Sequence, residues 1–346
     1  MQGLSFAGNR TIARIAIDDP TPGPGEVVLE IKASGMCGSD LHYYRSASGS
    51  GGPVASGATG PVIAGHEPAG VVVAVGADVV PQEAYVGRRA MVHHYWGCSA
   101  CEQCRSGWAQ MCTESAPKIY GVNSHGAHAP YMKVPARTIV PLPEALSFET
   151  GAAISCGTGT AYFALVRMGL SGRDTIAIFG QGPVGLAATQ LAVAQGARVI
   201  ATDISDERLA HAKRLGASVT INPDQTDVVD AIKDLTGGGA HMAMDTSGVT
   251  AVRTQAVRSV RPWGTVGLVG AGGDLQIAIA DIMRRQITIM SSWTFPNTGQ
   301  ADCAAFIAER GVDVDAVFTN RWTLDQADEA YQLFDQQKTG KGVFVM

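Results

Sequence analysis

The stretch Thr175-Ile176-Ala177-Ile178-Phe179-Gly180-Gln181-Gly182-Pro183-Val184-Gly185 runs an apolar strand straight into a G-x-G-x-x-G turn and on into a helix read over Pro183–Gln195. The order carries the signal, because such a turn holds a dinucleotide only where a strand feeds it and a helix leaves it. Gly180 makes the tight turn, Gly182 lets the backbone approach a pyrophosphate, and Gly185 allows close helix–strand packing. Pro183 and Val184 open the helix, whose free N–H groups face the phosphates. Asp203 closes the next strand, Arg198–Thr202. A carboxylate there accepts hydrogen bonds from both ribose hydroxyls and repels a 2′-phosphate, so NAD is expected over NADP. Arg208 is read as flanking the ribose. Val269, ending a strand over Thr265–Val269, is a further cofactor-binding candidate. A turn that merely packs is the competing reading, and the strand, helix and acid together outweigh it.

Outward from this stretch, strands over Met242–Asp245 and Ile287–Ser291 and a helix over Glu207–Leu215 continue the alternation. Strand–helix alternation calls for a doubly wound parallel sheet with right-handed crossovers. Upstream, Glu26–Ala33, Gly70–Val75 and Arg89–His93 read as short strands broken by Gly and Pro, and a helix is read over Phe148–Met168. Arg45–Gly65, rich in Gly, Ser and Ala, reads as a mobile surface loop. Helices near Ala301–Arg310 and Leu324–Gln336 close the chain. The expected architecture is α/β with two domains: a β-rich one from 1–150 and 292–346, and an inserted α/β one from 151–291.

A length of 346 residues suits two cores, and 46% hydrophobic with 16% charged residues excludes wholesale disorder. The formal charge of −5 argues against nucleic acid or an anionic membrane as partner. Met1–Arg10 lacks a secretory pattern and no apolar run is long enough to span a bilayer, so the protein reads as cytoplasmic.

Four of the seven cysteines, Cys98, Cys101, Cys104 and Cys112, form C-x2-C-x2-C-x7-C. Four thiolates on one tetrahedral ion leave no open position, which makes a structural zinc the leading reading. An iron–sulfur cluster also uses C-x2-C-x2-C, and two disulfides are the third reading, disfavoured in a reducing compartment. Elsewhere lie Cys37 in Cys37-Gly38-Ser39-Asp40-Leu41-His42, His66-Glu67 after Gly65, and Cys156 in Ser155-Cys156-Gly157-Thr158-Gly159. Singly, Cys37 and Cys156 read as small buried hydrophobes and His66 as a satisfied core histidine. Spacing alone does not join them.

Taken in order along nearly the whole chain, these motifs resemble the zinc-containing medium-chain dehydrogenase/reductase family, the alcohol and polyol dehydrogenases. The resemblance implies a GroES-like catalytic domain enclosing an inserted Rossmann domain, with the site in the cleft between them. It implies two zinc ions per chain: a catalytic one on Cys37, His66 and Cys156 with its fourth position open, and a structural one on the four clustered cysteines. Glu67 matches a carboxylate beside the metal that swings in as a transient ligand, and Asp40 the partner that orients the zinc-bound histidine. Ser39 matches the hydroxyl that takes the substrate proton, and His42 the outer end of a relay to solvent. A turn residue and a surface histidine are their plainer readings. The activity implied is hydride transfer between an alcohol and NAD, giving the ketone or aldehyde. Gly38 follows polyol-type members, whereas Cys156 is the ligand typical of alcohol dehydrogenases, so the chain mixes both subgroups.

Tyr43, His94, Tyr95, Trp96, Trp293 and Phe295 are candidates for the pocket wall, each equally readable as core, and together they suit a neutral small-molecule substrate. His125 and His128 stand where family members more often carry Asp or an aromatic residue; they are read as surface residues, with substrate contacts the alternative. Cys303 is read as a buried helix thiol. The resemblance also implies pairing of subunits across the sheet edge, here Ile287–Trp293, into a homodimer or homotetramer. Two other functions compete: a zinc-free quinone or enoyl reductase, which would lack the ligands, and a non-catalytic NAD-binding redox sensor.

Overall fold

Ile176, Ala177 and Ile178 are fully buried in the strand Thr175–Phe179, the middle of a parallel sheet covered on both faces, which is why its sequence is continuously apolar. The computed structural model describes residues 1–47, 60–336 and 339–346. Contacts divide the chain into one unit of Met1–Gly159, Phe295–Gly311 and Phe318–Met346, and a second of Thr160–Thr294 and Val312–Val317.

The second unit holds six strands in the spatial order Val219–Ile221, Arg198–Thr202, Thr175–Phe179, Ala240–Asp245, Val260–Leu268 and Thr288–Ser291. Numbered along the chain this is 3-2-1-4-5-6, the doubly wound dinucleotide-binding order. Gly185 shows why glycine is needed at its position: a Cβ there would stand 1.9 Å from the Gly180 carbonyl oxygen. Two helices, Val228–Thr236 and Thr250–Ser259, and the three-residue strand Val219–Ile221 go beyond the sequence reading. Asp227 caps the first helix by accepting from the Asp230 N–H, and Gly237 ends it in the left-handed conformation at φ 69°.

The first unit is built on a seven-stranded sheet. Its path runs Phe318–Trp322, Lys341–Val345, Glu26–Gly35, Glu67–Val75, Arg89–Val92 and Ile139–Pro141, with Tyr131–Pro135 also paired to Glu26–Gly35. Register sets Gly35 opposite both Glu67 and Val343. The chain leaves that central strand directly into Met36 and Cys37.

Three sequence readings need correction here. The single helix over Phe148–Met168 is two, Phe148–Ile154 and Gly157–Met168. Ser155 ends the first, its hydroxyl donating to the Gly151 and Pro68 carbonyls, and Cys156 sits in the break. The surface loop over Arg45–Gly65 falls partly on residues 48–59, outside the described residues. Its far end is not surface: Val62, Ile63 and Ala64 are buried, and Ala64 exchanges backbone hydrogen bonds with Leu4 and His128. His128, read as a surface residue, is fully buried. Among the described residues no helix is long and apolar enough to cross a membrane.

Candidate active site

Cys37, His66, Glu67 and Cys156 each offer one donor atom, and those atoms all lie within 4.8 Å of one another. The fold places them from three directions. Cys37 follows the central strand, His66 precedes its neighbour Glu67–Val75, and Cys156 occupies the gap between two helices. The Cys37 and Cys156 sulfurs stand 3.9 Å apart. Zinc–sulfur bonds of about 2.3 Å put two sulfurs of a tetrahedral site about 3.8 Å apart, so the donor set fits one zinc ion. Its charge distribution suits a cation as well. The Cys156 thiol and nearby His66 hold Cys37 well below the usual thiol range despite burial. Burial pulls His66 down, but the charges of Asp40 and Cys37 more than reverse it.

Asp40 is buried and its Oδ1 lies 3.0 Å from His66 Nδ1, which turns His66 Nε2 toward the thiols. The backbone N–H of Cys37 donates to Asp40 Oδ2 at 2.9 Å, so one carboxylate fixes two of the donors. Ser39 is exposed and starts the helix Asp40–Arg45 without making a capping bond. Its hydroxyl lies 3.3 Å from His66 Nε2. His42 is exposed on the same helix, with its ring edge-on to Tyr43.

Lys341 was not among the sequence candidates. It is buried and donates to Glu67 Oε2 and, at 3.3 Å, to the Met36 carbonyl. Burial pushes the Glu67 carboxyl up to about 7, with Lys341 pulling against it. Gly35 makes the pair possible, since a Cβ there would sit 2.0 Å from Glu67 Oε2. The only sequence signal is a lysine opening the apolar run Val343–Val345; the pairing of that strand on both sides, which demands a buried counter-charge, comes from the structure.

Cys98, Cys101, Cys104 and Cys112 also converge within 4.8 Å. The Cys98–Cys104 and Cys101–Cys112 sulfur separations are 3.9 and 4.0 Å, near the edge of a single zinc tetrahedron and far from a bonded disulfide. Backbone N–H groups of Ala100 and Cys101 point at the Cys98 sulfur, and that of Cys104 at Cys101. The Cys98 N–H and the Ser115 hydroxyl hold the Cys112 thiol down to about 5. These contacts suit thiolates gathered on one ion.

In the second unit, Gly180 takes φ 90°, and an added Cβ at Gly182 would meet nothing within 4 Å. That open space lies at the N-terminus of the helix Pro183–Ala194, so the residues fit a pyrophosphate there. Asp203 ends the adjacent strand, and its two carboxylate oxygens accept from the Gln181 and Ser205 N–H groups at 2.6 and 2.9 Å. Each oxygen keeps a lone pair for a ribose hydroxyl. Arg208 sits half-buried in the first turn of the helix Asp206–Arg214. Val269 follows the strand Val260–Leu268 and donates to the Asp245 carbonyl.

Of the expected pocket wall, His94 packs beside His66 with ring centroids 5.3 Å apart, and Tyr95 and Phe295 pack against His94 at 4.2 and 6.2 Å. Trp96 instead stacks under Arg137 beside the four-cysteine lobe. Trp293 is 57% exposed and belongs to the second unit. His125 is exposed, accepting at Nδ1 from the Ile63 N–H. Cys303 is fully buried in the helix Asn297–Arg310.

Two family models match the chain: "Alcohol dehydrogenase GroES-like domain" over residues 23–144 and "Zinc-binding dehydrogenase" over 183–309. An uncharacterized zinc-type alcohol dehydrogenase-like protein, YphC of Escherichia coli (strain K12), is 38% identical, covering 99% of this chain and 98% of that protein. The sorbitol dehydrogenase of Bacillus subtilis (strain 168) is 33% identical over 96% of this chain and 93% of its own. Among solved structures, the alcohol dehydrogenase rspB of E. coli CFT073, complexed with NADH, superposes with a TM-score of 0.87 at 25% identity, covering 100% and 99% of the two chains.

Proposed function

Given that this chain belongs to the zinc-containing medium-chain dehydrogenase/reductase family, we propose that it oxidises a secondary alcohol, polyol or related hydroxy compound with NAD, or runs the reverse. The observation that carries this is the three-ligand set Cys37, His66 and Cys156, oriented by Asp40 and flanked by the Ser39 hydroxyl, 3.3 Å from His66 Nε2. Bound at these residues, zinc supplies Lewis-acid polarisation of an alcohol oxygen and NAD supplies the hydride acceptor.

The chain's own groups do the rest. Asp40 holds the His66 imidazole with its Nδ1 proton inward, leaving Nε2 to the metal. Ser39 Oγ takes the substrate proton, and His42, on the exposed side of the same helix, hands it to solvent. His94, Tyr95 and Phe295 pack ring against ring, an aromatic wall that favours a neutral substrate. Glu67, held back by Lys341, is a reserve ligand. The three ligands, with the Ser39 hydroxyl beside them, favour this reading over a zinc-free reductase or a redox sensor.

NAD is favoured by the Asp203 carboxylate. Asp203→Gly is expected to raise the NADP/NAD ratio of kcat/KM by about tenfold or more, equivalent to roughly 1.4 kcal/mol. An unchanged ratio removes Asp203 from cofactor choice. All seven cysteines are free thiols, which fits a cytoplasmic protein. The edge strand Thr288–Ser291, near exposed Trp263, Ile279 and Met283, supports pairing of copies into a homodimer or homotetramer.

The test is NADH formation by the zinc-loaded protein across primary alcohols, secondary alcohols, polyols and hydroxy amino acids. Turnover confined to secondary carbinols is the expected result. No turnover in any class, with both metal sites filled and NAD bound, leaves the redox sensor as the better account.

A further inference from the structure

Behind Asp40 lies a buried chain of side chains that the reaction above does not use. His128 is fully buried, its Nδ1 2.8 Å from Ser34 Oγ and its Nε2 2.7 Å from the Tyr331 hydroxyl. Tyr331, equally buried on the helix Ala327–Asp335, reaches Asp40 Oδ2 at 3.3 Å. Asp40 in turn holds His66. Residues far apart in sequence thus form one line: Ser34, His128, Tyr331, Asp40, His66.

The donors and acceptors in that line can be assigned by elimination. Asp40 carries a carboxylate that already accepts from the Cys37 N–H and from His66 Nδ1, and an ionised carboxylate only accepts. Tyr331 must therefore donate to it. With its proton spent there, the Tyr331 oxygen accepts, so His128 Nε2 carries the proton. A neutral imidazole then has a bare Nδ1, which accepts from the Ser34 hydroxyl. Burial holds His128 down to about 4, so the ring is neutral and has a single proton to give. Every bond points toward Asp40, and each group's requirement is met once.

His128 is also built into the turn that presents His66. Gly65 takes φ 88°, and a Cβ there would lie 2.3 Å from His128 Nδ1. The His128 backbone donates to Ala64 and accepts from Leu4. Neither His128 nor Tyr331 touches a metal donor directly.

We propose that His128, acting through the Tyr331 hydroxyl, is a positioning residue that fixes Asp40 and hence the orientation of the His66 ring at the catalytic metal. The proposal rests on the zinc dehydrogenase reading. Partners directly behind a metal ligand are worth about 10- to 100-fold in metal affinity or activity. Links further back should be worth less, about three- to tenfold.

The test is chelator-driven loss of zinc from the full-length, two-zinc protein, with Cys37→Ala identifying which kinetic phase belongs to the active site. His128→Phe keeps an aromatic ring and removes both nitrogens, the Nε2 donor to Tyr331 and the Nδ1 acceptor from Ser34. Tyr331→Phe removes the hydroxyl. Each is expected to speed the active-site phase about three- to tenfold while the four-cysteine phase stays unchanged, which shows the unit still folded. The double variant should be no faster than Tyr331→Phe alone, because both changes break one line. His128→Gln, with an amide N–H near the old Nε2, should restore the wild-type rate. Additive effects, an unchanged rate in His128→Phe, failure of His128→Gln to rescue, or loss of both phases together would each overturn the proposal in favour of packing. A wild-type protein that binds zinc at the four cysteines alone would remove the dehydrogenase reading itself, a result distinct from all of these.

Discussion

Cys37→Ala should lower turnover by about 10³-fold or more and leave the protein with one zinc per chain instead of two, while NAD still binds. The reasoning starts from coordination number. Three ligands with an open fourth position are the minimum for a catalytic zinc, and the Cys37 thiolate is one of two charges that neutralise the ion. Lewis-acid stabilisation is worth several kcal/mol, and about 4 kcal/mol corresponds to three orders of magnitude in rate. Cofactor binding should survive, because Gly180, Gly182, Gly185 and Asp203 all lie in the other unit. Metal analysis, cofactor titration and initial rates on the same preparation check all three parts. Turnover near the wild-type value in a one-zinc protein would end the zinc mechanism.

Lys341→Met is expected to cost about 3–5 kcal/mol of stability, because it leaves the fully buried Glu67 carboxyl without its counter-charge. Both partners are essentially inaccessible, at 1% and 0% side-chain exposure. Burial alone pulls Lys341 toward its neutral form, and the Glu67 charge more than reverses this, so the two ions depend on each other. The double variant Glu67→Gln/Lys341→Met should recover most of the loss, since replacing both partners of a buried pair is far cheaper than removing one. Denaturant unfolding of the zinc-loaded proteins measures this. A single variant within about 0.5 kcal/mol of wild type, the scale of an ordinary surface change, would show that water reaches Glu67.

The second unit was the legible part of the chain because its signals are local. Thr175–Phe179 and Arg198–Thr202 form strands over the spans read from their apolar runs, Gly180 takes the left-handed φ of its turn, and Gly185 sits where a Cβ would strike the Gly180 carbonyl. The helices Val228–Thr236 and Thr250–Ser259 went unread, and their flanking strand, Val219–Ile221, is only three residues long. In the first unit the deciding contacts are long-range. Nothing in the spacing of Cys37, His66 and Cys156 joins them; the pairing of Gly35 with Glu67 does, by bringing the exit of one strand to the entrance of the next. In the sequence, only the resemblance to a family joins that set.

His128 and Lys341 went unrecognised for one shared reason. A polar residue belongs in a core only when a partner waits there, and theirs come from distant segments: Tyr331 for His128 and Glu67 for Lys341. The break at Ser155 and Cys156 was hidden similarly, because the first helix ends where Ser155 also bonds to Pro68 of another strand.

The most direct test of hydride transfer at a zinc-dependent site is to follow label from a substrate deuterated at the carbinol carbon. In the two-zinc protein, deuterium should appear on the reduced nicotinamide in step with ketone formation, and neither should form in Cys37→Ala. Label lost to solvent, or transfer persisting without the active-site zinc, would contradict the account.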